Sequence, residues 1–154
     1  QQCEQGASLL GVPSLREADI DMLEAAKPHM PEVVYRRAKH IITENERTLS
    51  ASNALKVGDI ETVSKAMAES HVSMRDDFEI TVPPIDYLVT IIDELLGVTG
   101  GVRMTGGGFG GCVVALVPTD TVDAVKQLVA DKYFDETNYH ADIYVCTATQ
   151  GAFA

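Results

Sequence analysis

The stretch Gly100 to Val117, GGVRMTGGGFGGCVVALV, restricts what this chain can fold into more than any other part of it. Seven of its first twelve residues are glycine, and it runs directly into the unbroken apolar segment Cys112 to Val117. Glycine loses more conformational freedom on folding than any other residue. Such a density therefore signals positive φ angles or very close approach to another group. That group is either a phosphate or another stretch of backbone. Gly106, Gly108 and Gly111 fit G-x-G-x-x-G, but a dinucleotide-binding turn opens a helix, whereas here a short β-branched run ended by Pro118 reads as a buried strand. A Walker loop is excluded because no Lys-Ser or Lys-Thr follows the glycines. What remains is a hairpin: strand Val102 to Thr105, loop Gly106 to Gly111, strand Cys112 to Val117. Protein kinases cover nucleotide phosphates with a glycine-rich hairpin of this kind, but their catalytic-loop and metal-binding signatures are absent here. Arg103 is the only charged side chain between Glu94 and Asp120. One cation beside exposed backbone N–H groups suits an anion. The alternative is a tight hairpin whose glycines let it pack against a helix.

The other elements follow from periodicity and capping. Gln1 to Leu10 has no capping signal and reads as the tail of a helix starting upstream, ended by Gly11 and Pro13. Ser14, with Glu17 or Asp19, caps a short helix reaching Met30. Pro31 opens a long helix to about Val57 with Gly58 as its stop. Its apolar face is Val34, Ala38, Ile41, Ile42, Leu49 and Leu55, interrupted by Asn45, which needs a partner. Arg36, Arg37, Lys39 and His40 form the one basic cluster, read as a solvated face with weak ion pairs or as an interdomain contact. Asp59 caps the next helix, where Ile60, Val63, Met67, His71 and Met74 share a face. That spacing makes His71 a hydrogen-bonded core residue rather than a catalyst or ligand. Adjacent Asp76 and Asp77 diverge on most backbones and make a poor metal clamp.

Pro83 and Pro84 open a helix with a wide stripe of Ile85, Leu88, Val89, Ile92, Leu95 and Leu96, opposite Asp86, Thr90, Asp93 and Glu94, ended by Gly97. After the hairpin, Thr119 caps a helix from Thr121 to Phe134 whose Val122, Val125, Leu128 and Val129 face the sheet, and Ala141 to Thr147 reads as a last strand. The pattern is β-β-α-β with several helices before it, an α+β domain with a small antiparallel sheet.

A chain of 154 residues, 45% hydrophobic, has the size and core of one domain. A net charge of −11 excludes nucleic acid and anionic membrane as partners, since both need a basic footprint. Cys3, Cys112 and Cys146 are an odd number without C-x-x-C spacing, so neither a disulfide framework nor a zinc site is indicated. Cys112 and Cys146 lie in apolar strands, where Cys acts as a small buried hydrophobe. Reduced thiols, no apolar run of membrane-spanning length and no signal peptide lead to the expectation of a cytoplasmic protein.

GGVRMTGGGFGGCVVAL resembles the third, carboxy-terminal signature of the GHMP family of small-molecule kinases in its galactokinase form. QCEQGASLLG, RRAKHIITENERT, MAESHVSMRDDFEITVPPID and the closing YVCTATQGA are also similar to galactokinase segments, in that family's order. The resemblance implies that residues 1–154 are a carboxy-terminal GHMP kinase domain, ferredoxin-like with added helices. The family's substrate-binding amino-terminal segment and its P-x-G-x-G-L-S-S-S loop do not occur in this sequence. The implied activity is transfer of the ATP γ-phosphate to galactose, giving galactose 1-phosphate, with ATP and Mg²⁺ used by the full-length enzyme. No catalytic or metal residue is then assigned in this chain. The catalytic Asp, its partner Arg, the metal ligand and the galactose-binding residues would lie in the absent amino-terminal domain. Arg103, Thr105, Gly106, Gly107, Gly108, Gly110 and Gly111 would brace the nucleotide and its phosphate loop. Arg75, Asp76 and Asp77 are candidates for an interdomain contact. The chain alone is expected to be inactive and to self-associate through the surface that normally meets the other domain. The alternatives are a galactokinase-like sensor of sugar and ATP that acts as a regulatory binding module, or a GHMP kinase for another acceptor such as N-acetylgalactosamine, mevalonate or homoserine.

Overall fold

In the computed structural model, residues 1–149 are described. Six α-helices and one two-stranded sheet make up the regular structure among them: α1 (Gln2–Leu10), α2 (Ile20–Ala26), α3 (Glu32–Val57), α4 (Ile60–Ser73), α5 (Pro83–Leu96), β1 (Gly101–Thr105), β2 (Cys112–Leu116) and α6 (Val122–Thr137). The class is α+β, with one small antiparallel sheet that packs chiefly against α4 and α5. No helix among the described residues is long and apolar enough to cross a membrane.

Local signals set most boundaries. Gly11 and Gly58 end α1 and α3 in the left-handed conformation, at φ 68° and 73°, each returning its N–H to the last carbonyls of its helix. Asp19 and Asp59 cap α2 and α4 by accepting hydrogen bonds from Met22 and Thr62 N–H. Ser14 makes no side-chain cap. Nor does Thr119, which begins a 3₁₀ turn after Pro118, and α6 then runs on to Thr137, where Asn138 closes it at φ 58°.

The core has three parts. Ala7, Leu15, Leu23, Met30, Val34, Ala38 and Ile42 join α1, α2 and the first half of α3. Leu88, Val89, Ile91, Ile92 and Leu96 of α5 pack with Val102 of β1 and with Val125, Val129 and Tyr133 of α6. Met74, Ile85 and Met104 form a third cluster, with Ile80, Val82 and Val113 around it. Helix α6 therefore packs chiefly on α5 rather than on the sheet. The expected stripe on α3 is covered only in part: Ala54 is buried in the second half of the helix, but Leu49 is 68% exposed and Leu55 54% exposed.

Three expectations about the carboxy-terminal third are corrected. Strand β2 is half-covered, with Cys112, Val114 and Leu116 on its open face, so its apolar run does not mark a strand buried on both sides. Cys112 and Cys146 are both exposed, as a consequence of those settings. Ala141 to Thr147 is not a strand. A strand persists where its ladder hydrogen bonds and one of its faces are both satisfied. Here Ala141 reaches the core while Ile143, Tyr144 and Val145 stay exposed. The YVCTATQGA segment continues past residue 149, outside the described residues.

Candidate functional site

Strands β1 and β2 pair with Gly101 opposite Leu116 and Thr105 opposite Cys112, which makes Gly106 to Gly111 the hairpin loop. Gly106, Gly108, Gly110 and Gly111 all have positive φ, from 82° to 128°, and Phe109 between them sits at 59°. The glycines divide into two kinds. A Cβ at Gly106, Gly107 or Gly110 would meet nothing within 4 Å, whereas one at Gly108 would lie 2.7 Å from Ile80 Cβ and 2.9 Å from the Ile80 carbonyl oxygen. Phe109 N–H donates to that same carbonyl at 2.6 Å. Of the two groups that could demand this glycine density, backbone is one that the structure supplies, at Gly108. The opposite side of the loop is open. The N–H groups of Gly106, Gly107 and Gly110 engage no acceptor among the described residues.

Ile80 is held by what precedes it. After α4 the chain makes a π-helical turn, Met74–Phe78, closed by Glu79 at φ 57°. The Glu79 and Ile80 N–H groups both donate to the Met74 carbonyl. Three cations of α3 grip this turn. Arg36 Nη1 donates to the Asp76 carbonyl at 2.9 Å and pairs with Glu79 Oε1 at 3.0 Å. Arg37 Nη1 donates to the Asp77 carbonyl, and its Nη2 pairs with Glu79 Oε2 at 2.6 Å. Lys39 pairs with Asp77 at 3.2 Å. Arg36, Arg37 and Lys39 thus make their ion pairs within the fold, to this turn. They close the C-terminal end of a turn, where cations meet unsatisfied carbonyls favourably. The two aspartates diverge: Asp76 pairs with Arg75 at 2.7 Å, and Asp77 accepts from Lys39 and from Ser73. The π turn itself was not readable from spacing.

Strand β1 is fastened from its other side. His71 Nδ1 accepts from Met104 N–H at 3.2 Å, so the proton resides on Nε2, which donates to Asp86 Oδ1 at 3.0 Å. Thr81 Oγ1 donates to the second oxygen of Asp86. One neutral imidazole therefore ties α4, β1 and α5 together, as the reading of His71 as a hydrogen-bonded core residue anticipated. Burial lowers its pKa below the ordinary value, against the opposing charge of Asp86. The part played by Asp86 was missed, since it lay on the polar face of α5. Its proximity to Thr81 and His71 is set by tertiary packing.

Arg103 points away from the loop. Its Nη1 donates to Glu44 Oε1 at 3.1 Å and to Ser70 Oγ at 2.7 Å, while Ser70 donates to Glu44 at 2.6 Å and Arg47 pairs with the other Glu44 oxygen at 2.9 Å. Burial acts to raise the Glu44 pKa. The hydrogen bonds from Ser70 and Arg47 and the charges of Arg47 and Arg103 outweigh it and hold the carboxylate below its ordinary range. The isolated cation of the sequence thus has its anion within the fold. His40 is buried beside Ser73 at 3.0 Å. The Ser73 hydroxyl gives its proton to Asp77, leaving His40 Nδ1–H to donate to Ser73. Burial lowers its pKa as well.

The described residues do not fit a divalent cation. No group of three or more His, Cys, Asp or Glu side chains among them converges on a common point.

Comparison with known proteins bears on this architecture. The family described as GHMP kinases C terminal matches residues 51–135. Among solved structures, Lactococcus lactis galactokinase complexed with galactose superposes with a TM-score of 0.83 at 30% identity, over 90% of this chain and 37% of that one. The chain thus spans well under half the length of the galactokinase it matches.

Proposed function

The chain belongs to the GHMP kinase family, and from that premise we propose that it is the carboxy-terminal domain of an ATP-dependent galactokinase. The similar solved protein is a galactokinase holding galactose, which favours galactose as the acceptor over the other substrates of such kinases. In this reaction the anomeric hydroxyl oxygen of galactose bonds to the γ-phosphorus, the bond to the bridging oxygen breaks, the hydroxyl proton passes to a base, and ADP leaves. The transition state asks for positioning and neutralisation of charge rather than covalent work by the protein.

The observation that carries this reading is the two-sided loop. Ile80 pins it at Gly108 and Phe109, while the N–H groups of Gly106, Gly107 and Gly110 remain unengaged among the described residues. Successive backbone N–H groups in such a turn form an anion-binding concavity. In the proposed role, Gly106, Gly107, Gly108, Gly110 and Gly111 brace the triphosphate side of the cleft, with Thr105 opening the loop. Arg103 contributes from behind, by fastening β1 to α3 and α4 through Glu44 and Ser70. Arg75, Asp76 and Asp77 remain candidates for contact with the other domain: Arg75 and Asp76 are exposed and paired with each other, and half-buried Asp77 pairs with Lys39. In this proposal Mg²⁺, the catalytic base and the sugar contacts are assigned to the remainder of the enzyme, as the family resemblance implies. The cytosol is the proposed compartment.

The test is a coupled ADP-release assay with galactose and Mg-ATP. The full-length protein containing this chain should turn over at about 1–100 s⁻¹, and the 154-residue chain should show no turnover. Activity of the short chain, or an inactive full-length protein, would overturn the proposal.

A further inference from the structure

Glu79 occupies the left-handed region at φ 57°, where a side chain with a Cβ is strained. Its carboxylate receives Arg36 on both oxygens, Nη1 on Oε1 at 3.0 Å and Nη2 on Oε2 at 3.3 Å, and Arg37 Nη2 on Oε2 at 2.6 Å. The same two guanidinium groups hold the carbonyls of Asp76 and Asp77, so turn and carboxylate are gripped together. Phe78 is fixed within this arrangement, with the Arg37 guanidinium 5.9 Å from its ring centre and the His40 ring 4.6 Å away. The next residue is Ile80, whose carbonyl receives Phe109 N–H and whose Cβ leaves room only for glycine at position 108. The Ile80 side chain meanwhile enters the cluster of Met74, Ile85 and Met104 beneath the hairpin.

We infer that the Arg36–Glu79–Arg37 latch is a positioning device for the glycine loop, and so a determinant of nucleotide affinity in the enzyme. The latch fixes the left-handed turn at Glu79, the turn fixes the Ile80 carbonyl, and the carbonyl fixes the loop at Phe109. Glu79, Arg36 and Arg37 are positioning residues, not catalytic ones, because they act on the loop only through Ile80. The effect on nucleotide rests on the proposed function. The effect on loop conformation does not.

The two are separated by two measurements on the full-length protein. Hydrogen exchange reads the latch directly: in Glu79→Ala, which removes the carboxylate and keeps the strained φ, the Phe109 and Ile80 amides should exchange roughly ten-fold faster or more, while the amides of Leu88 to Ile92 keep their wild-type rates. Glu79→Gly, which takes that φ without strain, should recover part of the protection. Arg37→Ala should behave as Glu79→Ala does, and the double variant should add little to either alone. Steady-state kinetics reads the consequence, with the KM for ATP rising several-fold in Glu79→Ala and kcat within about two-fold of wild type. Unchanged Phe109 exchange in a folded Glu79→Ala protein overturns the latch, whatever the activity. Faster Phe109 exchange with an unchanged KM for ATP overturns the link to nucleotide. A wild-type protein that does not phosphorylate galactose overturns the proposed function and leaves the exchange result standing.

Discussion

Glycines 106 and 108 look alike in the sequence and differ in what they are for. Both have positive φ, at 98° and 82°, but only Gly108 has a neighbour where a Cβ would go. Gly106→Ala should therefore lose only the left-handed penalty of about 1–2 kcal/mol. Gly108→Ala adds a clash with Ile80 backbone, and about 2–4 kcal/mol is expected once overpacking is included. Urea denaturation of the two variants compares them directly, and equal losses would show that Ile80 yields to the new methyl group. The buried histidines give a pH dependence of definite sign. His40 and His71 both have pKa values lowered in the folded state. Above an unfolded value of about 6.5 both states are neutral and stability is unaffected. As pH falls through that value the unfolded chain takes up protons that the folded chain resists, so stability declines. The melting temperature should fall between pH 7 and 5. His71→Gln should lower it at pH 7 and flatten that slope, and a slope unchanged by the substitution would remove His71 as its source.

At the scale of elements, α4 is the hub, and it works through side chains that look unremarkable in sequence. Ser70 joins it to α3 and β1, His71 to β1 and α5, and Ser73 to α3 and the π turn. The Glu44–Arg103 pair is the most distant of these links, spanning 59 positions. It is half-buried and shares Ser70, so solvent screens it only in part. A double-mutant cycle of Glu44→Ala and Arg103→Ala should give a coupling of about 1 kcal/mol. Coupling near zero would mean that Ser70 and Arg47 satisfy Glu44 without Arg103. Helix starts and stops were legible where each rests on one residue's local chemistry, as at Asp59, Pro83 and Gly58, whereas α2 is capped by Asp19 and not by Ser14. The partner of a helix face was not: the α6 stripe of Val125 and Val129 was recognisable, but its packing against α5 was not.

At the scale of the molecule, an apolar surface is left uncovered among the described residues. Val114 and Leu116 on the outer face of β2, with Phe109 at the loop tip, are 44%, 38% and 76% exposed. We expect the exposed apolar face of β2 to act as an interaction site. The 154-residue chain should therefore show concentration-dependent sedimentation in analytical ultracentrifugation. Val114→Lys should shift it toward monomer with a stability change within about 0.5 kcal/mol, as is usual for an exposed position. A wild-type chain that sediments as a monomer at every concentration would place the contact elsewhere.

The sequence alone determined the hairpin, the ends of α3, α4 and α5 that a cap, Pro or Gly marks, and the core role of His71, because positive φ, capping and helical spacing are short-range requirements that a few neighbouring residues express. It also carried the family resemblance, in motifs spread along the chain. Tertiary structure alone decided whom each polar side chain meets. Arg103, isolated in sequence, finds Glu44; the cations of α3, read as facing solvent or another domain, find a turn some 40 positions on. Cys112 and Cys146 read as buried and are exposed, since alternation says which residues share a face but not whether anything covers it. Coulomb attraction and hydrogen bonding between distant segments depend on the path of the backbone through space, and no local pattern encodes that path.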